Sequence, residues 1–418
     1  MDFRIPKKTQ TLLADLDTFI EDVIKPIENE DDNIRFFDYR REDSRTDWER
    51  QGLPNAEWEN LLKRMRIEAD KAGFWRYQLP TRFGGQNGNN LDMAIVREHL
   101  ARKGLGLHND LQNESSIVGN LVTVLMMERF GSEAQQKYWI PKMLKGEARI
   151  GFGLTEPLHG SDATWMETTA TRDGEEWVIT GEKYWNTGLH HATHDYIFAR
   201  TSGEPGEGNG ITCFIVPTDS EGFRVEEFMW TFNMPTDHAH VTLNQVRVKH
   251  TDILGEEGKG LQTAQLFVHE NRIRQAASSL GAGLHCIDTA VQWASNRVVF
   301  GKPLAQNQAI QFPLAELYTE AEMLRALIWK TAWQLDEGID HMEITDKVAM
   351  CNYRGNRFCC DAADRAMQTC GGQGYGRKLP FEHIYRHHRR YRITEGSEEI
   401  QIRKVAGKLF GFASRAKG

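Results

Sequence analysis

The chain has 418 residues, 40% of them apolar and 26% charged, which excludes an intrinsically disordered protein. Its 51 Lys+Arg against 59 Asp+Glu leave a net charge of −8, and the basic excess of a general nucleic-acid binder is missing. Asp15 and Asp17 interrupt the short apolar stretch behind Lys7 and Lys8, so no secretory leader is read there, and no apolar run approaches the ~18 residues of a membrane helix. Six cysteines without a CxxC pair argue against a disulfide scaffold, a structural zinc or any other metal site; buried thiols in a reducing cytoplasm are expected.

Three textures follow one another. Residues 1–150 read as helical: Leu12, Leu16, Phe19 and Ile20 share a helical face, Pro26 is expected to end that segment, and Trp58, Leu61, Leu62 and Met65 resume the period. Between these helices, residues 30–55 are densely charged and are expected to be an exposed loop. Residues 151–255 turn to β-type patterns. Asp173-Gly174 followed by Trp177–Thr180 predicts a hairpin; Ile197–Ala199, Cys213–Val216, His240–Leu243 and Val246–Val248 predict further strands. Residues 256–418 are helical again, with Leu317, Ala321, Leu324, Ile328, Ala332 and Leu335 forming one buried stripe. Helices, strands, then helices predict an α+β protein of three domains, not an alternating parallel sheet.

Four segments carry chemistry, and each also has an ordinary structural reading. Gly371-Gly372-Gln373-Gly374-Tyr375-Gly376 follows a helical run, not a strand, so it is no dinucleotide fingerprint. It is either a glycine stop to a helix or a place where backbone approaches a flat or anionic ligand. Phe152–Asp162 (FGLTEPLHGSD) is either a turn entering a sheet or a set of donors for a heterocycle or phosphate. In Gly181–Gly188 (GEKYWNTG), Trp185 is either core or a surface on which a ring stacks. In Ile393–Gln401 (ITEGSEEIQ), Ser397 is placed to cap a helix. Glu395 is there either a first-turn acid favoured by the helix dipole or, among apolar neighbours, a general base of raised pKa.

Taken together and in this order, these segments resemble the acyl-CoA dehydrogenase family of flavoproteins. The likeness includes Arg297–Leu304 (RVVFGKPL) with Gln308 and Gln311-Phe312, the run YRHHRRYRITEGSEEIQ, and, upstream, Gly131–Pro141 (GSEAQQKYWIP). It implies an N-terminal helical domain, a middle β-barrel or sandwich domain and a C-terminal four-helix bundle, with FAD between the last two. Thr155 would bond the pyrimidine end of the flavin, Trp185 would pack on its ring and Thr187 would sit near N5. Arg297, Gln308, Gln368, Gly371 and Gly372 would come from a neighbouring subunit to hold the adenosine diphosphate end, which requires a homodimer or, typically, a homotetramer. Phe152, Leu154, Ser161, Phe300, Ser397 and Glu399 match other cofactor-contact positions; Ser161, Arg272 and Gly396 match positions that touch the acyl-CoA substrate.

The same resemblance implies the reaction: Glu395 removes the α-proton of an acyl-CoA thioester while the β-hydride leaves to flavin N5, yielding a trans-2,3-enoyl-CoA in fatty-acid or acyl-CoA catabolism. An electron-transfer flavoprotein is the implied electron acceptor. Relatives that carry the base on an earlier helix place it just before the arginine matched by Arg272; here that residue is Asn271, and Glu270 is one position out of register. Asn186 and Gly188 depart from the family's usual Ile and Asn, and His387 and His388 from its Asp and Ala. Thr394 replaces its Tyr, which widens the acyl pocket. The arginine-rich run 386–392 is read as solvated or interfacial. The polar stretch 108–115 points either to a polar or ring-bearing acyl group or to solvent-facing side chains. Two other readings share the fold: a flavin monooxygenase or nitroalkane-oxidase-like enzyme, and a silent subunit of a heteromeric dehydrogenase. A glutamate at 395 favours dehydrogenation over both.

Overall fold

The computed structural model describes residues 4–109, 116–340 and 343–412. Helices α1 (Lys7–Phe19), α2 (Lys25–Asn29) and α3 (Arg41–Arg45) precede a two-stranded ribbon, β1 (Thr46–Asp47) with β2 (Leu53–Pro54). Helices α4 (Ala56–Lys71), α5 (Asn90–Arg102), α6 (Val122–Phe130) and α7 (Glu133–Lys145) follow. Strands β3 (Ile150–Gly153), β4 (Thr169–Asp173), β5 (Glu176–Thr187), β6 (His194–Arg200), β7 (Ile211–Pro217), β8 (Phe223–Phe228), β9 (His238–Lys249) and β10 (Ile253–Leu254) come next. The chain ends in α8 (Gly260–Asn296), the hairpin β11 (Val298–Val299) and β12 (Lys302–Pro303), α9 (Gln308–Asp336), α10 (Thr345–Cys370), α11 (Gly372–Tyr375), α12 (Phe381–Tyr391) and α13 (Glu398–Leu409). Two compact units divide these elements: Met1–Ser44, Glu57–Asn120 and Asn271–Gly418 form one, Arg45–Ala56 and Leu121–Glu270 the other. No helix among the described residues is long and apolar enough to cross a membrane.

The first unit is helical. The expected faces are buried: Leu12, Leu16, Phe19 and Ile20 pack with Trp58, Leu61, Leu62 and Met65, and the α9 stripe buries Ala321, Leu324, Ile328 and Ala332 among residues of α8, α10 and α12. Each fully buried Leu, Ile, Phe or Met side chain among them contributes roughly 1.5–3 kcal/mol. Pro26 does not end its helical run. A π-helical segment, Ile20–Ile24, shifts the hydrogen-bond register just ahead of it, and Pro26 falls in the first turn of α2, where a missing N–H is tolerated. The start of α5 is capped twice: Asn89 Oδ1 accepts from Asp92 N at 2.7 Å, and the Asp336 carboxylate accepts from Asn90 N at 2.8 Å and Leu91 N at 2.9 Å.

The charged stretch 30–55 is not an exposed loop throughout. Phe36, Phe37, Arg41 and Arg45 are buried. Arg41 donates to the Arg377 carbonyl at 2.9 Å and to Glu382, while Arg377 and Arg386 pair with Glu42. The charges close on partners more than 300 residues away, so a reading of local composition takes them for solvated groups. The run 386–392 is likewise half-buried: His387 and His388 are interior, and Arg392 pairs with Glu398 at 3.0 Å. All six cysteines are buried, and burial pushes their thiols up, keeping them neutral.

The second unit is built on an eight-stranded mixed sheet of order β10-β7-β6-β4-β5-β9-β8, with β3 added parallel to β6. The Asp173-Gly174 turn joins β4 to β5 as expected, pairing Asp173 with Glu176. One difference concerns β9, which is a single strand where the sequence predicts two. Gln245 at φ +55° lets the strand carry an extra residue opposite Thr180 without breaking, and such a bulge looks like a turn in sequence. Helix α7 leans on the sheet through Gln135 Nε2, which donates to the carbonyls of Thr251 (3.0 Å) and Ile253 (2.8 Å).

Strand β6 carries a buried carboxyl, bonded to a side chain of β5. Asp195 accepts a hydrogen bond from Asn186 Nδ2 at 2.5 Å, and burial pushes its pKa up to about 7, the Asn186 bond and the Lys183 charge acting against that rise. The unfolded carboxyl ionises near pH 4. Between about pH 4 and 7 the folded state therefore holds the extra proton, and stability falls as pH rises through this window. We expect Asp195→Asn to remove a loss on the order of 3 kcal/mol between pH 4.5 and 7.5. Denaturant midpoints at the two pH values measure it, and parallel pH dependences of wild type and variant would contradict it.

Candidate active site

The Glu395 turn is made by hydrogen bonds on both sides of it. After α12, Ile393 N and Thr394 N both donate to the Arg390 carbonyl, at 2.8 and 2.9 Å. Glu395 and Gly396 then take left-handed backbone, φ +56° and +87°, and Ser397 caps α13 as the sequence predicts, its Oγ accepting from Ile400 N at 3.5 Å. A non-glycine residue at positive φ is uncommon and persists only where the surroundings hold it.

Those surroundings are polar, not the apolar pocket the sequence suggests. Arg272, only 2% exposed, donates from Nε to the Glu395 carbonyl at 3.0 Å and again from Nη2. Burial lowers the Arg272 pKa to about 10, with the charge of Glu395 opposing, so the guanidinium stays cationic at neutral pH. Its Nη1 has no hydrogen-bond partner among the described residues. Gln401 Nε2 donates to the Gly396 carbonyl and to Asn352 Oδ1, both at 2.8 Å. Asn352 Nδ2 in turn donates to the Arg272 carbonyl at 3.0 Å and to Gln275 Oε1 at 3.1 Å. Helices α8, α10 and α13 thus hold the turn through its two carbonyls. The Glu395 side chain is met by Asn271, whose Nδ2 donates to Oε1 at 3.2 Å. Lys404, pushed down to about 8 by burial and by the Arg272 charge, adds a second cation on α13.

On the sheet unit, Tyr184 N donates to the Thr155 carbonyl at 2.9 Å and Lys183 Nζ to the Leu154 carbonyl at 3.3 Å, which brings Leu154 and Thr155 beside the Trp185 segment. Trp185 is 48% exposed at φ +66°, so its reading as a core residue is overturned. Thr187 Oγ1 lies 3.1 Å from His238 Nδ1 at the same surface. The segment rests on a buried pair: Lys183 Nζ and Glu156 Oε1 are 2.8 Å apart, and the Glu156 carboxylate also accepts from Glu167 N at 2.6 Å and Thr168 N at 2.9 Å. Burial alone would raise the Glu156 pKa, but Lys183 and these N–H donors hold it below the usual range. The Phe152 ring stacks on Phe267 at 3.9 Å, and Ser161 is exposed.

The remaining residues singled out in sequence are surface features. Arg297, Gln308 and Gln368 are exposed and make no side-chain hydrogen bond among the described residues. Phe300, at φ +48° beside Gly301 at φ +77°, projects its whole ring from the β11–β12 turn. Gly371 (φ +60°) ends α10 and, with Gly372, is exposed, a Cβ at either meeting nothing within 4 Å. Glu399 is exposed on α13. His108 and Asn109 are buried, so neither faces solvent; 110–115 lie outside the described residues. Sequence reasoning missed Gln401, Asn352, Glu156 and Lys183, whose roles come from partners distant in the chain.

The chain thus carries, on its helical unit, a glutamate whose main-chain carbonyl is clamped by an arginine and, on its sheet unit, an exposed indole close to the Thr187 hydroxyl. Three family models cover it in order: Acyl-CoA dehydrogenase, N-terminal domain, over residues 7–147; middle domain over 151–246; and C-terminal domain over 258–410. The chain belongs to the acyl-CoA dehydrogenase family, whose members are FAD-dependent oxidoreductases. It is 32% identical to a 3-(aryl)acrylate reductase of Clostridium sporogenes over 81% of this chain and 87% of that protein. To the human mitochondrial short-chain specific acyl-CoA dehydrogenase it is 31% identical, over 81% of this chain and 80% of that one. The structure of butyryl-CoA dehydrogenase from Megasphaera elsdenii superposes with a TM-score of 0.79 at 26% identity, covering 98% of this chain and all of that one (100%).

Gly396 is the tightest point of the clamp: a Cβ there would stand 3.1 Å from Arg272 Nη2, on backbone at φ +87°. We expect Gly396→Ala to destabilise the protein by about 1–3 kcal/mol. Urea unfolding measures it, and an unchanged midpoint would show that the turn relaxes freely.

Proposed function

We propose that this protein is a FAD-dependent acyl-CoA dehydrogenase that forms a trans-2,3-enoyl-CoA, with Glu395 as the base that takes the α-proton. The observation that carries the reading is the clamp of Arg272 on the Glu395 carbonyl, which holds the glutamate in a left-handed backbone conformation. The acyl-CoA dehydrogenase relatives and the family models support it.

FAD suits the residues present. Trp185 offers an exposed flat face, the Thr155 and Thr187 segments bring hydroxyls and main-chain groups beside it, and the open glycines 371 and 372 admit close approach of a backbone-bound ligand. Phe152, Leu154, Thr155, Ser161, Trp185, Thr187, Ser397 and Glu399 would hold the cofactor in one subunit. Arg297, Phe300, Gln308, Gln368, Gly371 and Gly372, which project to the surface, would reach one in a neighbouring copy of a homodimer or homotetramer. When bound, FAD supplies the acceptor for the hydride leaving the β-carbon.

The chain's own part is acid–base work and orientation. An α-proton of a thioester is weakly acidic, so the base must sit against it and the developing negative charge on the thioester oxygen must be stabilised. Glu395 takes the proton. Arg272 and Gln401 fix the carbonyls of Glu395 and Gly396, so the Gly396 N–H between them keeps one direction and, with the Glu395 N–H, would be offered to the thioester oxygen. The unpartnered Arg272 Nη1, Gly396 and Ser161 would face the acyl-CoA. An electron-transfer flavoprotein would reoxidise the enzyme, whose three domains would span 1–150, 151–255 and 256–418.

Glu395→Gln is expected to bind FAD with an unchanged visible spectrum but not to bleach it when acyl-CoA is added anaerobically, with turnover falling by at least about 10³-fold. Full turnover would overturn the assignment. The likeness to an aryl-acrylate reductase favours a ring-bearing acyl group, as does Thr394 where relatives have a tyrosine. An aryl-propionyl-CoA should then bleach the flavin at least about tenfold faster than straight C4–C12 esters, a ratio that one well-fitted pocket contact supplies. A preference for the straight chains would end that part of the proposal.

A further inference from the structure

We propose that Asn271 is a positioning residue that aims the Glu395 carboxylate and sets its basicity, and that Arg274 in turn fixes which way Asn271 faces. The proposal rests on the reading of Glu395 as the base. Asn271 is 3% exposed; its Nδ2 donates to Glu395 Oε1 at 3.2 Å, and its Oδ1 accepts from Arg274 Nη2 at 2.9 Å. An amide has a donor end and an acceptor end of nearly equal size, so packing alone does not choose between them. A guanidinium has only donors and can bond only the oxygen. Arg274, one turn along α8, therefore holds the amide nitrogen toward Glu395. The neighbouring Arg272 holds the main-chain carbonyl of the same glutamate, so α8 grips Glu395 at its backbone and at its side chain.

The choice of a neutral donor has a chemical consequence. A hydrogen bond to the ionised carboxylate favours it over the acid. A cation in the same place would favour the ionised form more strongly and make a weaker base. Here Arg272 donates to the Glu395 carbonyl, with the two charges also acting on each other, Arg274 donates to the Asn271 amide oxygen, and Asn271 donates to the carboxylate. Other charged groups about the turn are Lys404 and Glu398 on α13, Arg390 and Arg392 at the end of α12, and Arg357 on α10. Glu398 is paired with Arg392 and Arg357.

The test is kcat/KM against pH for the FAD-loaded enzyme and an acyl-CoA that the wild type oxidises. Three variants are compared: Asn271→Asp, Asn271→Leu and Asn271→Thr. Asn271→Asp is isosteric, keeps an acceptor for Arg274, and sets a second carboxyl against Glu395. It should move the acid limb up by at least about one pH unit, a loss that grows to about tenfold at pH values below both limbs and vanishes well above them. Asn271→Leu removes the donor and should move the limb the same way by a smaller amount; Asn271→Thr, which keeps an O–H, should fall between leucine and wild type. A merely structural role would lower the whole profile and leave its limb in place. An acid limb in Asn271→Asp coincident with the wild type's, with Glu395→Gln inactive in parallel, overturns the role of Asn271 and leaves the base standing. Activity retained in Glu395→Gln overturns the base itself.

Discussion

The hydrogen bonds from the Arg272 guanidinium to the Glu395 carbonyl are the interaction on which the proposed chemistry depends. They join residues 123 positions apart and hold a glutamate in backbone that costs about 1–3 kcal/mol to maintain. A hydrogen bond from a charged donor contributes roughly 1.5–3 kcal/mol, enough to offset that strain. Burying a cation is itself unfavourable, and Arg272 is nearly inaccessible, so the remaining polar groups must be satisfied. Asn352 and Gln401 do this for the surrounding backbone; among the described residues, Nη1 of the guanidinium, the Thr394 hydroxyl and Gln401 Oε1 are left without a hydrogen-bond partner.

The same arrangement recurs in a different form on the sheet unit. There the interior charge is the Glu156–Lys183 pair, and two backbone N–H groups complete the carboxylate's coordination. The pair lies directly under the segment that exposes Trp185 and Thr187. In each unit a buried, well-bonded ionic group sets the backbone of a segment whose outer face is open. This divides the work: the interior fixes position, and the exposed side chains are left to meet ligands. A fully apolar support would pack as well but would not determine the direction of a carbonyl or an N–H.

Much of this was legible in the sequence. The helical faces of α1, α4 and α9 follow from apolar periodicity, which depends only on local spacing, and the Asp173-Gly174 hairpin and the Ser397 cap follow from turn and cap chemistry. The candidate residues of the site were found by their joint order along the chain. What composition could not reveal was any feature decided by distant partners. Arg41 reads as solvated because Glu382 and the Arg377 carbonyl lie at the far end of the chain. Pro26 read as a helix end because a π-turn ahead of it is not encoded by periodicity. Asn271 registered only as a residue that is not a carboxylate; its contact with Glu395 requires the fold.

The central claim is that Glu395, held by Arg272, is a base aimed at an α-proton. The most direct measurement is washout of α-deuterium into water from an acyl-CoA that has no β-hydrogen, followed by NMR with FAD bound. Such a thioester can lose its α-proton but cannot complete dehydrogenation, so proton abstraction is seen alone. The account predicts catalysed exchange by the wild type and exchange at the uncatalysed rate when position 395 carries glutamine. Equal exchange by both proteins would contradict it.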